Sequence, residues 1–408
     1  MNILIVNTRH FFGGGDSTYT FNLADVLRQK GHEVAFFAMQ DGRNLPDPNS
    51  DLFVSHIDFK ELNQSKSIFT SFKVARRVIY SRETRKKFAK VVDRFQPDIV
   101  HLQNIHGHIG PSVIFEAKKR NLLVVWTLHD YKMVCPNTHF LIDTTGKICE
   151  ACGQNKYYQA IIKRCKKGSI LASIMASIEA YAHRLMHLRE RVDLFLTPST
   201  FLRNKLLESG FSPSKIVHLP LFLPDEMFHG NIKDKGYLLF MSKLDPIKGI
   251  FPLLEACARI PKVNFIFVGY VEETVERHVQ KVLPKNANYV GMKHGNELRK
   301  LLLGARAVIL PSLWYENQPF SIIEAFAAGK PIITSGLGGM TELVKNSKGG
   351  LLVSPGDVQA LAEAMEWIAT HANQAKEMGQ VARVYAMREH SVQKHYGRLI
   401  QIYERVLN

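Results

Sequence analysis

The chain has 408 residues, 46% of them hydrophobic and 22% charged, and carries 53 Lys and Arg against 37 Asp and Glu, a net charge of +16. That length exceeds one ordinary core, so two domains are expected, and the composition is that of a soluble globular protein. No apolar run reaches the roughly 18 residues of a membrane-spanning helix, and the opening MNILIVNTRH lacks the basic region and cleavage site of a signal peptide, so a cytoplasmic protein is expected.

The first half alternates short apolar runs with helical periods. NILIVNT (2–8) reads as a strand, Asp16 to Lys30 as a helix closed by Gly31, and HEVAFFAM (32–39) as the next strand. Between the first strand and its helix stand Gly13, Gly14 and Gly15, which let backbone approach an anion at the positive end of the helix. The run departs from the G-x-G-x-x-G dinucleotide fingerprint, and the acid nearest the end of the second strand, Asp41, is not placed for a ribose. A nicotinamide enzyme is therefore disfavoured.

Residues 66–95 hold ten Lys or Arg against two acids. In 66–80 the cations alternate with Phe69, Phe72, Val74 and Val78, a pattern expected to meet an anionic membrane surface. Arg82 to Phe95 reads instead as a surface helix whose Phe88, Val91, Val92 and Phe95 face the core. No RNA-binding signature or zinc-finger motif supports a nucleic-acid partner. Further strands follow at PDIVHLQN (97–104), LLVVWTLHD (122–130), DLFLTPS (193–199) and KIVHLP (215–220).

After the fourth strand comes a cysteine-rich insertion, 131–170, with Cys135, Cys149, Cys152 and Cys165. Cys149 and Cys152 form a C-x-x-C, and Cys135 and Cys165 flank it. In a cytosolic chain clustered thiols favour a metal over disulfides. Four thiolates match a closed, tetrahedral structural zinc site with no position for a catalytic water. An iron–sulfur cluster, two disulfides or free thiols stay open as alternatives, and His139 and His183 are candidate additional ligands. Cys257, in an apolar helix, reads as core.

PLFLPDEMFHGNIKDKG (220–236), rich in Pro, Gly and charge, reads as the joint between domains. The alternation then restarts with YLLFMSK (237–243), NFIFVG (264–269), NYVG (288–291), ARAVILPS (305–312), PIITS (331–335) and GGLLVS (349–354), and from Asp357 the chain reads as helix. Strand alternating with helix twice over predicts an α/β protein of two doubly wound domains.

Two stretches of the second half carry chemistry. In MSKLDPIKGI (241–250), Lys243 ends a strand and Lys248 precedes Gly249 and a helix, a placement suited to clamping a diphosphate and stabilising a departing phosphate. In PSLWYENQPFSIIEAFAAGKPIITS (311–335), a strand–loop–helix–strand unit, Glu316 falls beyond the carboxyl end of a strand and Glu324 about one turn into the helix. Two acids there point to a ligand site, although Glu at a helix start also complements the macrodipole.

With these residues the chain resembles, over nearly its whole length, the retaining glycosyltransferases of family 4 that build bacterial cell-surface glycans. Their architecture is GT-B, two facing Rossmann-like domains with an interdomain cleft. ENQPFSIIE (316–324) looks like the family's paired-glutamate motif, Lys243 and Lys248 like its diphosphate clamp, SGLGGMTELV (335–344) like the turn that follows, and WTLHD (126–130) like the strand whose His faces the donor sugar. The resemblance implies that Glu316 bonds the hydroxyls of the transferred sugar and that the backbone of Asn317, Gln318, Pro319, Phe320 and Ser321 surrounds sugar and phosphate. It implies further that Glu324 accepts from the ribose, that Lys243 and Lys248 bind the diphosphate, and that Val290 and Gly291 border the base. His129 would contact the sugar from the other domain, and the loop of Gly13, Gly14 and Gly15 would lie on the acceptor side. The first clamp position is often Arg in the family; Lys243 offers a point charge rather than a bidentate fork.

On this reading residues 1–222 form the acceptor-binding domain, 223–390 the nucleotide-sugar-binding domain, and 391–408 a helix returning to the first. The expected reaction moves a sugar from a nucleotide diphosphate sugar to a glycan or lipid-linked glycan acceptor, peripherally at the inner face of the cell membrane. No Asp-x-Asp motif is present, so catalysis without a metal is expected. The alternatives are a nucleotide-sugar epimerase of the same fold and a non-catalytic basic protein that binds glycan or membrane.

Overall fold

A computed structural model describes residues 1–57, 79–230 and 233–407. The 66–80 stretch expected to meet a membrane lies, apart from Ile79 and Tyr80, outside the described residues. The chain divides into two compact units, Met1–Leu219 with Tyr396–Asn408, and Pro220–His395. The first division falls three residues before the expected 222, and the return to the first unit begins at Tyr396 rather than at 391.

The first unit is built on β1 (Asn2–Val6), β2 (Glu33–Phe37), β3 (Ile99–Leu102), β4 (Leu123–Thr127), β7 (Leu194–Thr197) and β8 (Ile216–His218). They form one parallel sheet in the order β2-β1-β3-β4-β7-β8. Its strands are near-continuous apolar runs, with Ile3 to Val6 wholly buried, as a parallel sheet covered on both faces demands. The Arg82–Phe95 helix buries Phe88, Val91 and Val92 as its periodicity predicts. From Tyr396 the last helix, Val392–Leu407, is tied to this unit by polar contacts. Tyr396 Oη stands 3.0 Å from His32 Nε2, and Tyr403 Oη 2.6 Å from His101 Nδ1, whose Nε2 meets Thr127 Oγ1 at 2.8 Å.

The insertion between β4 and β7 is longer than its cysteines indicate. It holds an antiparallel hairpin of β5 (Leu141–Ile142) and β6 (Lys147–Ile148), a short helix Gln159–Ile162, and a helix of four turns, Ile170–Leu185. A buried ion pair, Lys132 Nζ to Glu179 Oε2 at 2.6 Å, pins that long helix to the start of the insertion.

The second unit carries β9 (Leu238–Met241), β10 (Phe265–Val268), β11 (Ala287–Tyr289), β12 (Ala307–Leu310), β13 (Ile332–Ser335) and β14 (Gly350–Val353). They lie parallel in the order β11-β10-β9-β12-β13-β14. Counted within the unit this is 3-2-1-4-5-6, the nucleotide-binding order, whose topological switch point falls between β9 and β12. Phe240, Phe265, Phe267, Ile309 and Ile333 of the sheet pack against Leu253, Leu254 and Met365 of its helices. Both units are Rossmann-like. Among the described residues no helix is long and apolar enough to cross a membrane.

Candidate functional site

The carboxyl ends of β9 and β12 are where such a sheet receives a ligand, and two loops are drawn together there. After β9, Asp245 accepts from the backbone N–H of Ile247 at 3.1 Å and starts a single turn, Pro246–Lys248. Gly249 follows with φ of 76°, and a Cβ there would lie 2.0 Å from the carbonyl oxygen of Pro311, just past β12. Leu313 N–H donates to the Ile247 carbonyl at 2.8 Å. Glycine is required because the two backbones touch.

That contact brings Lys248 to Glu316. Lys248 Nζ donates to Glu316 Oε1 at 2.5 Å, and Ser312 Oγ and Trp314 Nε1 each donate to the same oxygen at 2.9 Å. Lys248 also lies 5.2 Å from the centre of the Trp314 ring. Glu316 is only 7% exposed. One carboxylate oxygen thus collects three donors, and Oε2 makes none of these bonds. The loop is fixed from below by the Gly338–Ser347 helix. Gly339 N–H donates to the Glu316 carbonyl at 2.9 Å, and a Cβ on Gly339 would stand 1.6 Å from the Asn317 carbonyl oxygen.

Glu324 lies half-buried in the second turn of the Phe320–Ala327 helix. Its carboxylate has no hydrogen bond or ion pair with any described residue, and burial pushes it up to about 7. Gln318 is engaged elsewhere, its Oε1 accepting from Leu221 N–H at 2.5 Å. Val290 donates from its backbone to the Phe267 carbonyl at 3.0 Å, and the Gly291 carbonyl accepts from Gly269 N–H at 3.1 Å, which sets both residues past β11, beside the carboxyl end of β10.

Lys243 departs from the expected clamp. Its Nζ sits 2.8 Å from both Asp245 Oδ2 and Glu272 Oε1. Burial lowers this ammonium, but the hydrogen bonds and charges of the two acids outweigh it and hold it above the usual lysine range. Lys248 is paired with the glutamate of the site, and Lys243 with two carboxylates that sequence reasoning missed. Asp245 was available as a signal, two residues on in the same motif.

In the first unit, the exposed loop of Gly13, Gly14 and Gly15 follows β1, and the Gly15–Gln29 helix starts within it. Gly13 N–H donates to Ser17 Oγ at 3.0 Å and its carbonyl accepts from Arg9 at 2.8 Å. Arg9, Phe11, Phe12, Gly13, Arg43 and Leu45 line an open cavity of about 470 Å³. His129, past β4, is joined through Nε2 to Gln103 Oε1 at 2.8 Å and stands edge-on to Tyr19. Burial pulls its imidazole below the usual histidine range against the pull of Asp16 and Asp130, so the ring is neutral near pH 7. Gln103, which orients it, was not singled out from sequence, although HLQN at a strand end marks it.

The four insertion cysteines are all free thiols. Cys152 and Cys165 pack in one small cluster with Tyr157 and Ala160. Cys149 N–H donates to the Phe140 carbonyl at 2.8 Å, and Asn137 Nδ2 donates to the Cys165 carbonyl at 3.0 Å, which draws the segments together. Burial, then the neighbouring thiols, pushes Cys152 and Cys165 up to about 12, each of the four interacting with the other three. Four thiols are a ligand type that zinc takes. Among the described residues, however, no three His, Cys, Asp or Glu side chains are arranged to hold a metal ion as they stand.

Comparison with known proteins gives the family. The model described as "Glycosyltransferase Family 4" matches residues 13–226, and "Glycosyl transferases group 1" matches residues 224–385. The chain belongs to glycosyltransferase family 4. Its fold is GT-B. HepE of Anabaena, solved in complex with UDP and glucose, superposes with a TM-score of 0.69 at 15% identity over 99% of each chain. Sucrose-phosphate synthase of Thermosynechococcus elongatus gives 0.68 at 19% identity, over 99% of this glycosyltransferase and 98% of that chain. In sequence it is 22% identical, over 84% of its length and 87% of the other's, to an uncharacterised 42.6 kDa protein in the cps region of Klebsiella pneumoniae. It is 25% identical to the amylovoran biosynthesis glycosyltransferase AmsK of Erwinia amylovora, over 52% of this chain and 56% of AmsK. Against AmsK, then, the aligned part is about half the length of the relative.

Proposed function

We propose that this chain is a retaining glycosyltransferase of polysaccharide synthesis, moving a sugar from a nucleotide diphosphate sugar to a glycan or lipid-linked glycan at the cytoplasmic membrane surface. The observation that carries the reading is the Lys248–Glu316 pair at the β9/β12 switch point, with Glu324, which has no partner among the described residues, on the helix that follows. HepE binding UDP at the same fold, and the polysaccharide named in AmsK, support it.

In this reading Glu316 is held through Oε1, and Oε2 accepts from hydroxyls of the transferred sugar. Glu324 accepts from the ribose. Lys248 neutralises the leaving diphosphate in place of a metal, which is worth more in a partly buried site than in water. The C1–phosphate bond breaks and the C1–acceptor oxygen bond forms on the same face, and the acceptor's hydroxyl proton passes to the departing phosphate oxygen. Glu316 positions and stabilises rather than attacks. His129 enters this scheme through the family resemblance, as a neutral hydrogen-bonding group for the sugar. A nucleotide-sugar epimerase or a purely binding protein does not account for both acids at the head of one helix.

The four cysteines we read as a structural zinc site that would fasten the insertion, their thiols giving up protons to solvent as the ion is bound. It takes no part in the transfer.

The test is thermal unfolding with UDP-, GDP-, ADP- and dTDP-sugars, for the wild type and Lys248→Ala. A donor at about 100 times its dissociation constant adds about 2.7 kcal/mol. One donor should raise the wild-type midpoint and leave the variant's unchanged. No shift with any of them removes the donor assignment.

A further inference from the structure

The Ile170–Leu185 helix is built inside out. On a wheel of 3.6 residues per turn, Leu171, Ile174, Met175, Ile178, Ala182 and Leu185 fall within about 100° of one another. That stripe is the outer face. Leu171 is 56% exposed, Ile178 47% and Leu185 78%, with Ile174, Met175 and Ala182 half-buried between them. The buried residues of the same helix are Ser173, Ala176, Ser177 and Glu179. Their polar groups are satisfied inside: Ser177 Oγ donates to the Tyr157 carbonyl at 2.9 Å, Ser173 Oγ to Ser169 at 2.9 Å, and Glu179 pairs with Lys132. A surface helix of a free-standing protein shows the opposite pattern. A contiguous aliphatic ridge on the outside marks a contact surface.

The charges around the ridge select the partner. Lys163, Arg164 and Lys167 precede the helix, and all three are exposed. None of them makes an ion pair with a described residue, whereas cations elsewhere in the same unit, such as Lys118 with Asp193 and Arg120 with Asp93, are paired. Ile162, next to Lys163 in the chain, is 67% exposed and adds an apolar side chain among these cations. Aliphatic side chains beside unpaired Lys and Arg are what an anionic bilayer surface takes, the chains entering the headgroup boundary and the cations meeting phosphates. A protein partner would call for aromatic anchors at the centre of the face, and the stripe has none.

We propose that the outward face of the Ile170–Leu185 helix, with Ile162 and the flanking cations, docks this protein on an anionic lipid surface. The surface is separate from the donor site and stands whether or not the donor reading does. It would hold the protein where a lipid-linked acceptor is found.

The experiment is co-sedimentation with vesicles of phosphatidylcholine alone and with phosphatidylglycerol added. The proteins compared are wild type, a Leu171→Ser, Ile178→Ser, Leu185→Ser triple variant, and a Lys163→Glu, Arg164→Glu double variant. The wild type should bind the anionic vesicles, weakly the neutral ones, and release with salt. Both variants should lose binding by about tenfold or more, with unfolding midpoints at or above the wild type's, since the replaced side chains are exposed. Wild-type binding by a folded triple variant overturns the assignment of this face. Failure of the wild type to bind anionic vesicles, with concentration-dependent dimerisation that the triple variant abolishes, overturns it in favour of a second copy of the chain.

Discussion

Glu316 and Glu324 are eight residues apart and live in opposite states. Glu316 accepts three hydrogen bonds on one oxygen, from Lys248, Ser312 and Trp314, and Glu324 accepts none from any described residue. A buried carboxylate so fully held is a positioned group. One left bare at a half-buried site is costly unless a ligand supplies its donors.

The first prediction follows from the held member. Glu316→Gln keeps the shape but turns an acceptor into a donor and removes the charge facing Lys248. Glu316→Gln and Lys248→Ala should each lower turnover by more than about tenfold with donor and acceptor saturating. Because they share one interaction, the double variant should lose far less than the sum of the two. Steady-state rates for the four proteins give the coupling; strict additivity would separate the pair.

Lys243 gives a prediction of the opposite sign. Its two carboxylate partners, Asp245 and Glu272, leave its neighbourhood with a net negative charge, which opposes a diphosphate. Glu272 is the more exposed of the two. Glu272→Gln should therefore tighten donor binding by about twofold to tenfold, in keeping with a surface pair, and Lys243→Ala should weaken it. Titration calorimetry with the donor nucleotide measures both. Unchanged affinity in both variants would take Lys243 out of the donor site.

The bare member carries a pH signature. Burial raises Glu324 to about 7, above its ordinary 4.5. Its contribution to stability is thus fully present below about 4.5 and is lost as pH rises through 7. Donor affinity should run the other way. Two ribose hydroxyls prefer the ionised carboxylate, so affinity should fall by about threefold to tenfold from pH 8 to pH 6. Binding near pH 7 should release protons to the buffer, read by calorimetry in buffers of different ionisation enthalpy. Glu324→Gln should abolish both slopes.

What the sequence shows of this protein is set by how local the cause is. Eleven of the twelve strands of the two large sheets lie within the apolar runs that mark them, because a strand covered on both faces has to be apolar, while the edge strand β11, with Asn288 exposed, starts one residue before its run. Glu316 and Glu324 stand out because a helix start is a local feature. The partners do not. Lys248 reaches Glu316 only because Gly249 lets its turn rest on Pro311, and Glu272 reaches Lys243 only because β10 lies next to β9. The Ile170–Leu185 helix shows the same limit. It was not singled out from sequence, and which of its faces is buried is set by Lys132, which comes from 47 residues away to meet Glu179.

The last prediction concerns the thiols. Cys135, Cys149, Cys152 and Cys165 are free and come from three segments joined by the Cys149 to Phe140 and Asn137 to Cys165 bonds. Protein purified without added metal should contain about one equivalent of zinc, four thiolates making one closed tetrahedral site. Chelation should lower the unfolding midpoint and speed proteolysis of the insertion, since metal affinity is folding free energy where the ligands lie on separate segments. Cys152→Ser should reproduce the chelated state, and Cys257→Ser, whose thiol sits alone in the core of the other unit, should leave the zinc content unchanged. Iron in the analysis would replace zinc by a cluster. Well under half an equivalent of any metal, with all five thiols titrating freely in the unfolded protein, would leave the cysteines as packing residues.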